Sequence, residues 1–408
     1  MEEELKNRII KNIDRSRPEQ ISFLRKLIQT KSVNPSVTGL TDEKENGAVE
    51  VKTAKLVFSK LKDSGFNPRF ENRSPLRPNV ICEFGRAAKG GRTLIFNGHL
   101  DTVPPAKDYS FDPFSGEVRE GRVYGLGALD MKASLCAYVF MAKALRDFQQ
   151  ELKGRICLQF VSDEESGANS PFGTKFLLEK GYRGSAAIVG EPGMEKISIG
   201  SRGGYRFRIE TFGEAAHTGS RDWEERTVGR NAILEMTKAI NALSDFPFKK
   251  NKNTFFSGRK NVLTFPTFIE GGTSINMVPD YCRVYGDARI LPGVSKDFME
   301  KTIKRILRNE GIKFKLSTIL YVPASVKSGG SLVEIVVKNA FRIQGRKPKL
   351  GVAGPWSDAW LFIKRGIPAI NFGCDGNGAH GKDEYVEIES MLDATKIYAL
   401  TAVDYSGS

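Results

Sequence analysis

The sequence predicts an α/β protein: a mostly parallel sheet with helices on both faces, interrupted by an inserted α+β domain. Three observations predict it. Short apolar runs, NVICEF, TLIFNGH, RICLQFVSD and AAIVGE, read as buried strands and are separated by helical stretches, the pattern of a largely parallel sheet covered on both sides. Near residue 196 the texture changes to alternating strands. After residue 322 the first texture returns.

The elements follow in order. Residues 2–31 read as helical with a break near Pro18; in the second part Ile21, Leu24, Leu27 and Ile28 recur at helical spacing. Residues 47–64 repeat the pattern through Val51, Ala54, Val57, Phe58 and Leu61. Further helices are expected around 131–149 and 171–180, between the apolar strands. ISIGSRGGYRFRIETFG reads as two strands, the second opening the new domain. A helix at 227–243, NVLTFPTFIEG, YCRVYGDARI, a helix at 295–309 and KFKLSTILYV complete the order strand, helix, strand, strand, helix, strand, a ferredoxin-like succession. SDFPFKKNKNTFFSGRKN between them is expected as a mobile loop. A helix at 331–344, KLGVAG, a helix from 357, the strand AINFG and a last helix from 387 return to the first domain. The predicted division is therefore 1–195 and 323–408 as two parts of one domain, with 196–322 inserted.

Composition narrows the function classes. Of 408 residues, 40% are hydrophobic and 27% charged, ordinary for a globular protein. No apolar run approaches the roughly 18–20 residues of a membrane helix, and MEEELKNRIIKNIDRSRPEQ lacks the apolar stretch of a signal peptide. The five cysteines are scattered and form no CxxC, which predicts free thiols in a reducing compartment, the cytoplasm. The net charge of +14 could attract anionic partners. However, the basic stretches KNRIIKNIDRSR and PFKKNKN are short and belong to no nucleic-acid module. An acidic small substrate accounts for the charge equally well.

The chain holds three histidines, His99, His217 and His380. A single histidine in a loop is more often structural or merely exposed. Here all three stand at element ends, in GHLDTVPP, AAHTGS and GCDGNGAHGKDE, and acids stand at the other strand ends. Asp130 closes the turn GLGALD, Asp163, Glu164 and Glu165 follow RICLQFVS, and Glu191 follows AAIVG. Any one of these could be a helix cap or a solvated turn. In an open parallel sheet, though, ligands bind beyond the carboxyl ends of the strands, so these groups are expected to converge. Adjacent acids gain nothing from crowding, and a divalent cation would relieve it. Imidazoles with carboxylates suit zinc, with cobalt or manganese as substitutes.

GHLDTVPP, ALDMK, DEESGA, GEPG, AAHTGS with GRNAI, SINMVPD, DARILPG and GAHGKDE occur in one order. In that order and spacing, over residues 21 to about 400, the chain resembles the zinc aminoacylase and carboxypeptidase family. That family includes acetylornithine deacetylase, succinyl-diaminopimelate desuccinylase, aminoacylase and glutamate carboxypeptidase. The resemblance implies two zinc ions per subunit bridged by Asp130, one also held by His99 and Glu191, the other by Glu165 and His380. It implies that Asp101 orients the His99 ring, that Glu164 is the general base and that His217 stabilises the oxyanion. It further implies a cis peptide between Asp130 and Met131. Arg289 and Asn276 would bind a substrate carboxylate, and Gly354 and Ser357 would line the substrate pocket. In that last region, GPWSDAW departs from the commoner GGTDA-type sequence. The inserted domain resembles the family's lid and dimerisation domain, which implies a homodimer whose His217 serves the neighbouring subunit.

The expected activity is hydrolysis of an amide bond in an N-acyl amino acid, a small carboxylate-bearing substrate. The alternatives are release of an amino acid from a dipeptide or a C-terminus, and a catalytically silent binding protein of the same fold. A silent relative should have lost a ligand or the base, and this chain keeps all five ligand matches, Glu164 and His217.

Overall fold

The structure is a computed structural model that describes residues 2–34, 50–86, 91–166, 170–327 and 329–407. The first residues of the helix expected at 47–64, and the Gly–Ala pair closing DEESGA, lie outside the described residues. The chain divides into two compact units: residues 1–201, 326–353 and 357–408 form the first, and residues 202–325 with 354–356 the second.

The first unit is built on a sheet of nine strands among the described residues. Its centre is parallel: Thr93–His99 lies between Arg155–Val161 and Ala186–Val189, and Ala186–Val189 continues to Ala369–Asn371. Arg77–Gly85 and Arg69–Ser74 extend one side antiparallel. Successive side chains of a strand point to opposite faces, and Thr93–His99 shows both faces covered. Phe96 packs against Tyr138 and Tyr398, of the helices Ala133–Leu145 and Ile388–Gly407. Its neighbour Asn97 donates to the Thr174 hydroxyl at 2.9 Å, at the start of the helix Thr174–Glu179. Burial on both faces explains why these strands read as unbroken apolar runs. Ala133–Leu145 is apolar almost throughout and buried almost throughout. The N-terminal break falls at Ser16, between Glu2–Arg15 and Arg17–Gln29, with Pro18 in the first turn of the second helix, where its missing N–H costs nothing. No described helix is long and apolar enough to cross a membrane.

The second unit has a four-stranded antiparallel sheet in the order Val262–Gly271, Tyr281–Ile290, Gly203–Phe212, Phe314–Val322. The helices Ala232–Leu243 and Lys296–Asn309 cover one face, where Tyr205, Phe207, Ile209, Val284 and Ala288 meet Met236, Ala239, Met299 and Ile303. The opposite face carries Arg206, Arg208, Asp287 and Arg289. Tyr281–Ile290 alternates strictly between buried and half-exposed residues. The segment 244–261 is irregular except for one turn at Thr254–Phe256, whose Phe256 is buried.

One boundary differs from expectation. The bound at residue 196 includes Lys196–Ser201, the first of the two strands, but that strand pairs with Lys349–Ala353 in the large sheet. Five of its six residues are buried, so it belongs to the first unit, and the second begins at Arg202.

Candidate metal centre

Of the eight predicted site residues in the first unit, seven stand at a strand end or in the turns that follow. His99 ends the strand Thr93–His99. Glu164 and Glu165 follow Arg155–Val161, and Glu191 follows Ala186–Val189. Asp130 sits in the turn Ala128–Lys132, entered through Gly127 at φ 76°, a left-handed conformation natural for glycine. The Asp130–Met131 peptide is cis, as the resemblance implied.

These side chains form two triads that share one residue. His99, Asp130 and Glu191 offer ligand atoms within 4.8 Å of one another, and so do Asp130, Glu165 and His380. Asp130 divides its carboxylate between them: Oδ1 lies 3.1 Å from His99 Nε2, and Oδ2 lies 3.3 Å from His380 Nε2. His380 Nε2 is also 3.1 Å from Glu165 Oε1. Glu164 belongs to neither triad, so its carboxylate is not committed as a ligand.

The electrostatics of the group call for cations. Burial first, then the charge of Glu191, pushes the Glu164 carboxyl well above its ordinary range. Burial and the charge of Asp130 do the same to Glu191, whose Oε1 is buried without a hydrogen-bond partner. Hydrogen bonds to Asp130 and Glu165 push His380 up to about 11. Burial pulls the His99 ring down, but its hydrogen bond to Asp130 outweighs this and the ring sits well above its ordinary range. A pair of divalent cations would satisfy the carboxylates and displace the protons. One imidazole and two carboxylates per triad is a donor set that fits zinc, and cobalt or manganese accept the same atoms.

The surroundings hold these groups in place. His99 Nδ1 donates to the Asp101 main-chain carbonyl at 2.9 Å, whereas the nearer Asp101 carboxylate oxygen is 3.8 Å away. The expected orientation of His99 by residue 101 therefore runs through its backbone. The Asp101 carboxylate instead accepts the main-chain N–H groups of Glu164 and Glu165 at 3.3 and 3.0 Å, tying the His99 loop to both glutamates. Asn34 donates to Asp101 at 2.8 Å and to Asp163 at 3.2 Å, and Arg77 pairs with Glu50 and, at 3.7 Å, with Asp163.

Sequence reasoning missed Asn34 and Arg77, and it missed a further supporting residue, Glu384. The buried Glu384 carboxylate accepts the main-chain N–H groups of Gly127, Leu129 and Asp130 at 2.8, 2.8 and 2.9 Å. It follows His380 by four residues in GAHGKDE, and that proximity was the available signal.

The other predicted residues are placed differently. In the second unit His217 and Asn276 are exposed, with His217 Nε2 3.2 Å from the Asn276 side-chain amide. The Gly219 N–H donates to His217 Nδ1 at 3.1 Å. Arg289 donates to Asp287 at 2.8 Å, and the Gly354 carbonyl accepts from Arg202 at 3.2 Å. Ser357 lies in the first unit. It is 2% exposed, its hydroxyl donates to Asn371 at 2.9 Å, and it accepts the Ala359 N–H at 3.3 Å. The side chain thus braces the start of the helix Ala359–Lys364.

Comparison with known proteins agrees with this geometry. The model of Peptidase family M20/M25/M40 matches residues 95–404. A succinyl-diaminopimelate desuccinylase of Cereibacter sphaeroides is 29% identical over 388 residues, 91% of this chain and 96% of the relative. Among solved structures, the M20 family metallo-carboxypeptidase Sso-CP2 from Sulfolobus solfataricus aligns with a TM-score of 0.77 at 19% identity, covering 96% of this chain and all of that one. Human carnosine dipeptidase 1 aligns with a TM-score of 0.76 at 16% identity, over 99% of each chain. With its two triads hinged on Asp130 and a match across three quarters of its length, the chain belongs to the peptidase family M20/M25/M40 of metal-dependent amide-bond hydrolases.

Proposed function

We propose that this enzyme is a two-zinc deacylase that hydrolyses the amide bond of an N-acyl amino acid. The observation that carries the reading is the division of the Asp130 carboxylate, one oxygen toward each triad. When bound, a zinc pair would acidify water and polarise the amide carbonyl. Glu164 accepts the proton from the water that adds to the carbonyl carbon. As the C–N bond breaks, Glu164 delivers that proton to the departing nitrogen, leaving a carboxylate and an amine. His217 donates from Nε2 to the carbonyl oxygen as it gains charge, and Arg289 and Asn276 hold the substrate carboxylate.

Dimerisation belongs to this proposal. The strand Val262–Gly271 is an edge of the second unit's sheet, and Phe268 and Ile269 on it are exposed. An exposed apolar edge is a ready site for pairing with another chain. Two copies joined there would form a homodimer in which His217 serves the partner's centre. The five cysteines are free and buried, which supports a place in the cytoplasm.

Release of a C-terminal amino acid or cleavage of a dipeptide is the second reading, favoured by the fold shared with the carboxypeptidase and the dipeptidase. The deciding experiment assays the zinc-loaded enzyme on N-acetylornithine, N-succinyl-diaminopimelate, other N-acyl amino acids and dipeptides. Turnover of dipeptides alone would reverse the order of the two readings. Full activity after exhaustive chelation would remove both.

A further inference from the structure

The polar face of the second unit's sheet gathers more positive charge than its acids balance. Strand pairing sets Arg206 opposite Asp287 and Gly204 opposite Arg289. Arg206 donates to one Asp287 oxygen at 2.9 Å and Arg289 to the other at 2.8 Å, so a single carboxylate serves two guanidinium groups. The Trp356 ring lies against the same pair, 4.3 Å from Arg289 Cζ and 5.4 Å from Arg206 Cζ. It fits because residue 204 is glycine: a Cβ there would stand 2.1 Å from the indole.

Two more arginines meet at Gly354. Arg202 donates to its carbonyl. The Arg259 guanidinium nitrogens lie 3.9 and 4.0 Å from the point where a Cβ on Gly354 would stand. No carboxylate forms an ion pair with Arg202 or Arg259 among the described residues. Burial first, then the charges of Arg259 and Arg289, draw Arg202 below the usual guanidinium range, so the three are near enough to repel. Like charges gathered this way gain nothing on their own and are neutralised by an anion, and the planar fork of arginine suits a carboxylate. Of this cluster, Trp356 stands in GPWSDAW, where the sequence departs from the commoner GGTDA-type pattern.

Arg289 suffices for one substrate carboxylate. We infer that the substrate carries a second carboxylate, and that Arg202 and Arg259 read it while Trp356 holds Arg289 aligned for the first. The inference rests on the amidohydrolase reading above and specifies its substrate class. A second carboxylate could come from a diacid acyl group or from an acidic amino-acid side chain. Both offer the same chemistry to the two arginines.

The test has two arms. In the first, the zinc-loaded enzyme is assayed on N-acetylalanine, N-succinylalanine and N-acetylglutamate. At least one two-acid substrate should exceed N-acetylalanine in kcat/KM by about tenfold or more, as charge-assisted hydrogen bonds imply, and which one does so identifies the source. Arg259→Met should erase that advantage through KM. Arg259 is exposed on a loop, so the variant should fold. In the second arm, tryptophan fluorescence of the zinc-loaded protein is titrated with succinate, glutarate and acetate. The two diacids should bind more tightly than acetate, Arg259→Met should abolish the difference, and Trp356→Phe should remove the signal. Equal losses on one-acid and two-acid substrates in Arg259→Met, or diacid binding indifferent to that change, would overturn the inference. If no N-acyl amino acid is cleaved, the deacylase reading fails, and the fluorescence arm still decides the anion site.

Discussion

The Glu384 carboxylate accepts the main-chain N–H of Asp130 at 2.9 Å, and with it those of Gly127 and Leu129. It thereby holds the turn that presents the shared ligand, while its own loop supplies His380. Glu384→Ala should loosen both triads at once. Removing such a supporting partner commonly costs about 10–100-fold in metal affinity or activity. Zinc content after dialysis against graded chelator measures it. Unchanged zinc retention would show that the turn keeps its shape without Glu384.

Glu164 and Glu165 are neighbours with different surroundings, since only Glu165 belongs to a triad. Glu164→Ala should therefore retain both metals and lose at least the ~10²–10⁴-fold typical of general acid–base catalysis. Glu165→Ala should lose metal. Elemental analysis beside kcat separates the two, and the opposite pattern would exchange their roles.

The buried Glu50 makes stability depend on pH. Burial and the charge of Asp101 outweigh the pull of Arg77 and push its carboxyl from its ordinary 4.5 up to about 8, and its Oε2 has no hydrogen-bond partner. A carboxyl raised in the folded state binds its proton more tightly there than in the unfolded chain. Its contribution is complete below about 4.5 and is lost as pH rises through about 8. Urea unfolding at fixed zinc should show stability falling across this window more steeply in the native protein than in Glu50→Gln. Parallel pH profiles for the two would contradict the assignment.

The strands of the first unit were legible because both their faces are buried, and the two triads because their residues stand at strand ends and turns, where such sheets collect chemistry. Other features left no local trace. Arg69–Ser74 is a polar edge strand with mostly exposed residues, so no apolar period marks it. Asn34 reaches Asp101 across 67 residues of sequence, and nothing near position 34 announces that contact. Ser357 stands in the expected motif, yet its hydroxyl is taken by Asn371, a pairing set only by tertiary packing. The domain boundary slipped because the strands Lys196–Ser201 and Gly203–Phe212 are separated only by Arg202, and only the partner strand decides which sheet each joins.

His217 provides the sharpest test of assembly. It lies in the second unit, on the two-residue strand Ala216–His217 paired with Met277–Val278, while the residues of both triads belong to the first. Under the homodimer proposal its ring serves the partner's centre. His217→Ala and Glu164→Ala should each be nearly inactive alone. When the two variants are unfolded together, refolded and reloaded with zinc, random pairing makes about half the dimers mixed. In a mixed dimer one centre combines an intact Glu164 with an intact His217 from the other copy, and the second centre lacks both. About a quarter of native activity should therefore return under two-fold symmetry. If His217 acts within its own subunit, every centre in the mixture lacks one residue and activity stays at the level of the separate variants. Sedimentation of the unmixed protein supplies the control, because a chain that is monomeric at assay concentration could not share its histidine.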